Sequence, residues 1–285
     1  MRNTGTGRDM APEISFLSLA HVSLTESCAA LTAGYEGYIV PVAFDPVSLA
    51  RRIQAEHIDL VASQLLRVDG QTAGIMLIAR RGGASRLAAL GIAAPLRGAG
   101  IGAQAIAAAI AEARLRGDER LVLEVIDSNS KAISTYTRAG FVPRRTLVGY
   151  THDPVLPATS EDGVMPCPAG DVLPLLLDVW PDDPSWQTSP LCFAGATKPV
   201  EAFRTGDAAA LVDASGPAVR LLAFAVRSPR QGIGRCFMQS LLARFADRPW
   251  TIPATLPASQ AAGFLAATGW KQAALSQLEM ELPLG

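Results

Sequence analysis

A glycine-rich turn, a lone glutamate further along the chain, and an asparagine and a tyrosine just beyond it are the residues here whose types and spacing could do chemistry. The turn reads Arg97-Gly98-Ala99-Gly100-Ile101-Gly102; it follows the apolar stretch that ends Gly91-Ile92-Ala93-Ala94 and opens an alanine-rich helix near Ala103. With no Cβ at Gly98, Gly100 and Gly102, an anion can approach the backbone closely. The first N–H groups of the helix, at the positive end of its dipole, can then point at that anion. Arg97 adds a positive charge, or is an ordinary surface arginine. The spacing excludes two well-known phosphate loops. A P-loop needs Gly-Lys-Ser/Thr where this chain has Gly102-Ala103-Gln104, and a dinucleotide fingerprint needs G-x-G-x-x-G where it has G-x-G-x-G. Taken alone, the turn could also be a plain strand-to-helix connection.

The second group follows Leu121-Val122-Leu123-Glu124-Val125, an apolar run that reads as a buried strand. Glu124 is its one ionisable side chain and a candidate proton acceptor. Alternation along the run suits either face, so it could equally sit on the sheet rim or pair with a neighbour. Asp127-Ser128-Asn129 reads as a turn and N-cap, and Lys131 to Ala139 as a short helix stopped by Gly140. Asn129 and Tyr136 are two helical turns apart and share a face with Ala132. Asn129 could do no more than cap its helix, and Tyr136 could be a packed ring with a wet hydroxyl.

Taken together, the Arg-Gly-x-Gly-x-Gly turn and the later Asn129, Ala132, Tyr136, Gly140 and Phe141 resemble the two halves of the motif pattern of the GNAT family of N-acetyltransferases. The L-E-V-then-Asn spacing is similar to that of the ribosomal-protein N-alpha acetyltransferases within it. The resemblance implies acetyl-CoA as cofactor, with Ile92, Ala93, Ala94, Arg97, Gly98, Ala99, Gly100, Ile101, Gly102, Ala103, Asn129, Ala132 and Tyr136 around it. It also implies backbone N–H groups near Ile92 and Ala93 facing the acyl oxygen, Glu124 as base and Tyr136 as acid. An alkylammonium must lose a proton before it can attack a thioester, which is why a base is required. No cysteine stands beside these motifs, so direct transfer is expected rather than an acyl-enzyme.

The elements that must position these residues follow from pattern. Ile14 to Ala20 reads as a strand, Leu24 to Tyr35 and Pro46 to Glu56 as helices, and Val61 to Val68 and Ala73 to Ala79 as a hairpin around Asp69-Gly70. Arg86 to Ile92 is the strand before the turn. After Tyr150 comes a polar, proline-bearing segment, His152 to Gly163, where a domain boundary is expected. Beyond it the order recurs in weaker form, with Gly232-Ile233-Gly234 matching Gly100-Ile101-Gly102. The expected fold is mixed α/β (α+β), with two tandem acetyltransferase-like domains, each a mostly antiparallel twisted sheet flanked by helices. Residues 1–152 form the catalytic, acetyl-CoA-binding domain and residues 153–285 a degenerate, non-catalytic one. In the second, Pro229, Arg230, Pro253, Ala258 and Leu265 stand where the first has Arg97, Gly98, Glu124, Asn129 and Tyr136.

Composition bounds the rest. The chain has 285 residues, 49% of them hydrophobic and 18% charged, with a net charge of −1. That balance offers no basic field for nucleic acid. Cys28, Cys167, Cys192 and Cys236 lack C-x-x-C spacing, which favours reduced thiols over a disulfide frame or a metal site. His21, His57 and His152 are isolated. Met1 to Pro12 has no apolar core of a secretory signal and no run reaches a membrane span, so a cytoplasmic protein without membrane partners is expected. The acceptor is open between a small-molecule amine and a protein N-terminus or lysine, and the oligomeric state is not legible. Tyr35, Glu36 and Tyr38, after the first helix, could recognise an amine, or be packing and a solvated charge. The alternative from another class is a non-catalytic acyl-CoA-binding or assembly protein that has kept the cofactor turn.

Overall fold

The computed structural model describes residues 14–40, 42–154 and 164–285. Met1 to Pro12 and most of the segment expected as a linker lie outside them. The first half comprises β1 (Ile14–Ser18), α1 (Leu24–Gly34), α2 (Pro46–Glu56), β2 (Gln64–Val68), β3 (Gln71–Arg81), β4 (Ala84–Ile92), α3 (Ile101–Leu115), β5 (Arg120–Ile126), α4 (Ser130–Arg138) and β6 (Val142–His152). The second comprises β7 (Met165–Cys167), α5 (Leu173–Val179), β8 (Val200–Thr205), β9 (Ala208–Asp213), β10 (Val219–Val226), α6 (Ile233–Arg244), β11 (Trp250–Pro257), α7 (Ala262–Ala267) and β12 (Lys271–Pro283). No helix among the described residues is long and apolar enough to cross a membrane.

Local chemistry sets the boundaries. The Ser23 hydroxyl accepts the Glu26 N–H ahead of α1, and the Asp45 carboxylate accepts two N–H groups ahead of α2, whose first residue is Pro46. Asp69 and Gly70 both take positive φ, the conformation a two-residue hairpin turn needs. The strand expected from Val61 starts at Gln64 instead. The Asp59 carboxylate accepts the N–H groups of Val61 and Ala62 and holds them in a turn.

All twelve strands form one sheet in the order β1-β2-β3-β4-β5-β12-β6-β11-β10-β9-β8-β7. Neighbours are antiparallel except at two places, β4 with β5 and β10 with β11. The last strand of the second half does not return to its own side. β12 lies between β5 and β6, in antiparallel register with both, for example Glu279 opposite Glu124 and Arg145. Its alternation explains the fit. Leu278, Met280 and Leu282 join the core under α3, while Glu279, 2% exposed, faces the other way and receives the guanidinium groups of Arg144 and Arg145 at 3.0 and 2.6 Å. From Leu278 onward β12 is therefore second-half in sequence and first-half in packing.

Each face of the first half has its own core. Leu121, Leu123 and Val125 pack with Ala105, Ile106 and Ala109 of α3, whereas Val122 packs with Leu31 of α1 and Leu49 of α2. Two glycines let α1 come close: a Cβ on Gly34 would stand 2.7 Å from the Gly91 Cα on β4. Because Met280 is fully buried in the first-half core, Met280→Ala should cost about 2–5 kcal/mol. The loss should be read in one unfolding transition shared by both halves. Two separable transitions, with only the second shifted, would show that β12 does not bind the halves together.

Candidate active site

β4 and β5 are paired only from Ala84–Arg120 to Leu87–Leu123, and then part. Ala88 to Ile92 and Glu124 to Ile126 form the two arms of a wedge, and the expected site residues collect around it. At its end stands the turn into α3. Gly98 and Gly100 take φ of 85° and 80°, with nothing within 4 Å of where a Cβ would be. Gly100 is the N-cap of α3, no side chain caps the helix, and its first turn holds no acidic residue. The leading N–H groups of Ile101, Gly102 and Ala103 thus have an open, positive surround.

Arg97 occupies a different place from the expected phosphate contact. Its Nε donates to the Ile92 carbonyl at 2.8 Å and its Nη2 to the Gly34 carbonyl at 3.0 Å. The side chain pins the end of α1 to the end of β4 while leaving its charge beside the turn. The backbone donors also differ from expectation. Ala93 N–H is spent on the Ala73 carbonyl at 2.9 Å, so it is not free to face an acyl oxygen. Antiparallel alternation then turns the Leu90 and Ile92 N–H groups away from β3 and into the wedge. Leu90 N–H lies near the Tyr35 hydroxyl, and Ile92 N–H faces the open part of the wedge.

On the opposite arm, Asn129 does cap α4, its Oδ1 accepting the Ala132 N–H at 3.2 Å. Its side chain is also within hydrogen-bonding reach of the Tyr38 hydroxyl. Tyr136 packs edge-on against Phe141, ring centres 5.9 Å apart. Burial pushes its phenol pKa up, and the neighbouring Tyr35 and Tyr38 push the same way. Tyr35 and Tyr38 are themselves edge to face at 5.0 Å. Three phenols therefore converge at the wedge, two of them from the segment that the sequence leaves open between amine recognition and packing; Glu36 between them is exposed.

Glu124 is the first β5 residue beyond the paired segment, on the face of α1 and α2. It does not stand alone. Arg86 on β4 donates Nε to Glu124 Oε2 at 2.7 Å and Nη1 to Glu56 Oε2 at 2.6 Å. The Arg86 and Glu124 side chains are each 4% exposed. Glu56 ends α2 and also receives Arg52 and the Gln187 amide, while its carbonyl accepts the Trp186 indole N–H. A buried line Gln187–Glu56–Arg86–Glu124 thus joins the second half to the wedge. Burial pushes the Glu124 carboxyl above its ordinary value against the pull of Arg86, and Glu279 and Glu56 add to the rise. Its Oε1 is buried without a partner. The pairing of Glu124 with a neighbour, left open by the sequence, is realised. Its partner had a signal of the same kind, since Arg86 is the one charged residue of β4.

The second half repeats the device and changes the lining. β10 and β11 pair only at Val219–Trp250 and Arg220–Thr251 before they part. Gly232, φ 80°, starts an α6 that also lacks a capping side chain. The wedge there is walled by Pro253 and Leu265.

A twelve-stranded, mostly antiparallel sheet with helices on both faces, broken by parallel wedges that end in glycine turns, defines the acetyltransferase fold of the GNAT type, in a mixed α/β chain. Residues 33–141 match the model of the acetyltransferase (GNAT) family. Among solved structures, a GCN5-related N-acetyltransferase from Sphaerobacter thermophilus superposes with a TM-score of 0.67 at 13% identity, over 95% of each chain. A tandem GNAT protein from the clavulanic acid biosynthesis pathway gives 0.63 at 14% identity, over 96% of this chain and 98% of that one. A GCN5-related N-acetyltransferase from Kribbella flavida gives 0.63 at 12%, over 95% and 72%. These likenesses establish the fold. No curated protein sequence matches the chain.

The buried line makes stability depend on pH. Burial alone would raise the Glu56 carboxyl, but Arg52 and Arg86 hold it down to about 2 from an ordinary 4.5. A carboxyl depressed on folding stabilises above its unfolded pKa, and that gain is lost as pH falls through the folded one. Glu56→Gln should therefore lower unfolding free energy by roughly 3 kcal/mol near neutrality. The gap from wild type should shrink between about pH 5 and pH 2. Denaturant titrations across that range test it; a gap independent of pH would assign the loss to packing.

Proposed function

We propose that residues 1–152 move an acetyl group from acetyl-CoA to a primary amine by direct attack, and that residues 153–285 form a non-catalytic tandem partner. The observation that carries this reading is that one wedge gathers an uncapped helix N-terminus, a backbone donor at Ile92, a buried carboxylate and a phenol. The residues present fit CoA: left-handed Gly98 and Gly100 leave open the space a Cβ would fill, and the N–H groups of α3 behind them lack a protein acceptor. When bound, acetyl-CoA supplies a thioester-activated acetyl group.

The chain's own residues divide the remaining work. The α3 turn binds the pyrophosphate, with the Arg97 charge beside it, and Asn129 and Ala132 line the arm. Ile92 N–H stabilises negative charge on the acyl oxygen. Glu124 Oε1, unpartnered in the buried wall, takes a proton from the incoming ammonium, directly or through one water, and the raised Glu124 pKa brings the base closer to working pH. Tyr136 keeps its proton throughout the working range because burial raises its pKa, and so stands as the donor to the leaving sulfur. The acceptor is a small amine or a protein N-terminus or lysine. The tight hold of Arg86 on Glu124 is the one feature that favours the non-catalytic alternative, in which the carboxylate is purely structural.

Tyr136→Phe keeps the ring against Phe141 and removes only the proton donor, so turnover should fall by roughly 10²–10⁴ with CoA affinity little changed. A variant within about threefold of wild type would refute the acid role. Glu124→Gln should abolish the acidic limb of the pH–rate profile, which in the wild type lies above the usual carboxylate range, and leave the amine's own titration. An unaltered acidic limb would move the base to Glu36 or to a water chain. CoA binding without product from any amine in a mass-spectrometric panel would favour the non-catalytic reading.

A further inference from the structure

The two wedges differ in more than their acid–base residues. A cavity of about 900 Å³ fills the second, between β10 and β11. That is the size of a site for a small organic ligand. Its inner wall is apolar, formed by Phe224, Ile252, Leu256, Phe264 and Leu265, with α2 of the first half and the chain around Phe193 closing the other side. Where the first wedge carries Glu124 and Tyr136, this one carries hydrocarbon and aromatic surface.

One end is charged. Arg220 sits where β10 and β11 are still paired, with Arg51 of α2 and Asp213 of β9 nearby on the same wall. Neither Arg51 nor Arg220 has a carboxylate within 4 Å among the described residues, while the Asp213 carboxylate accepts the N–H and hydroxyl of Ser215 at 2.9 and 2.6 Å. Of the other lining charges, Arg52 and Glu56 pair with each other. Three guanidinium groups face two carboxylates, so one positive charge is in excess. The indole N–H of Trp180, also on the wall, is buried without an acceptor. This charged end is distinct from the Gly232 turn, because β10 runs from Arg220 to Val226 before reaching it, about 20 Å at strand rise.

From this we infer that the second half binds an amphipathic carboxylate, with its apolar body in the wedge between β10 and β11 and its head at Arg220 and Arg51. Loss of the acid–base residues from this half then reads as a change of ligand rather than decay. The inference does not depend on the chemistry proposed for the first half.

Dodecanoate and dodecanol, used below their aggregation limits, are suitable probes for calorimetry on the full chain. Dodecanoate should bind one to one, at least tenfold tighter than the alcohol. Arg220→Ala, at an exposed position, should weaken dodecanoate at least fivefold and leave dodecanol unchanged. Ala55→Trp, which places an indole in the cavity from α2, should weaken both. No saturable binding, equal affinity for acid and alcohol, or full affinity in a folded Ala55→Trp protein would each overturn the inference. Should Ala55→Trp fail to fold, Arg220→Ala decides: unchanged dodecanoate affinity overturns it.

Discussion

The short parallel pairing of β4 with β5 is the constraint on which the rest depends. Beyond Leu87–Leu123 the two strands keep unspent N–H and C=O groups facing each other across a gap. Buried backbone donors and acceptors do not stay unpaired without cost, so the gap must be met by side chains, water or ligand. In the first half the Tyr35 hydroxyl lies near Leu90, Arg97 donates to the Ile92 carbonyl, and Ile92 N–H faces the gap. The same constraint at Arg220–Thr251 leaves the large apolar cavity of the second half. One backbone device thus serves two linings.

Behind the wedge stands a wall of paired charges. Arg86 bridges the two arms through Glu124 and reaches α2 through Glu56, while β12 closes the far side of β5 with Glu279 held by Arg144 and Arg145. Buried ion pairs of this kind add little net stability against an apolar replacement, but removing one partner is costly because a bare charge is left behind. Here Arg86 holds one oxygen of the Glu124 carboxylate and leaves the other without a partner. Asp183, Trp186 and Gln187 come from the second half into the same wall. The first site is consequently assembled from both halves, although its motifs lie in one.

Much of this was legible in the sequence because it is local. The glycine turn, the LVLEV strand, the Asn129 cap and the Asp69-Gly70 hairpin each follow from a few neighbouring residues, and each appears where expected. The alternation of Leu278, Glu279, Met280, Glu281 and Leu282 marks a strand just as plainly. Its neighbours could not be read, since pairing with β5 joins residues about 155 apart that no local pattern links. The partner of Glu124 was hidden for the same reason, though a lone Arg86 in one apolar strand and a lone Glu124 in another were the visible ends of one interaction. Gly34 and Gly91 show their purpose only where α1 meets β4. The Ala93 N–H was expected to be free and is not, because ladder alternation depends on a register set by β3.

The central claim is that the two wedges are unequal, the first built for CoA and the second not, although both end in an uncapped glycine turn. A crystal structure of the full chain with CoA tests it most directly. The account predicts one CoA per chain, its pyrophosphate at Gly98 to Gly102 and its arm entering between β4 and β5 past Asn129. Equivalent occupancy at Gly232 to Gly234, or CoA there and not in the first wedge, would contradict it.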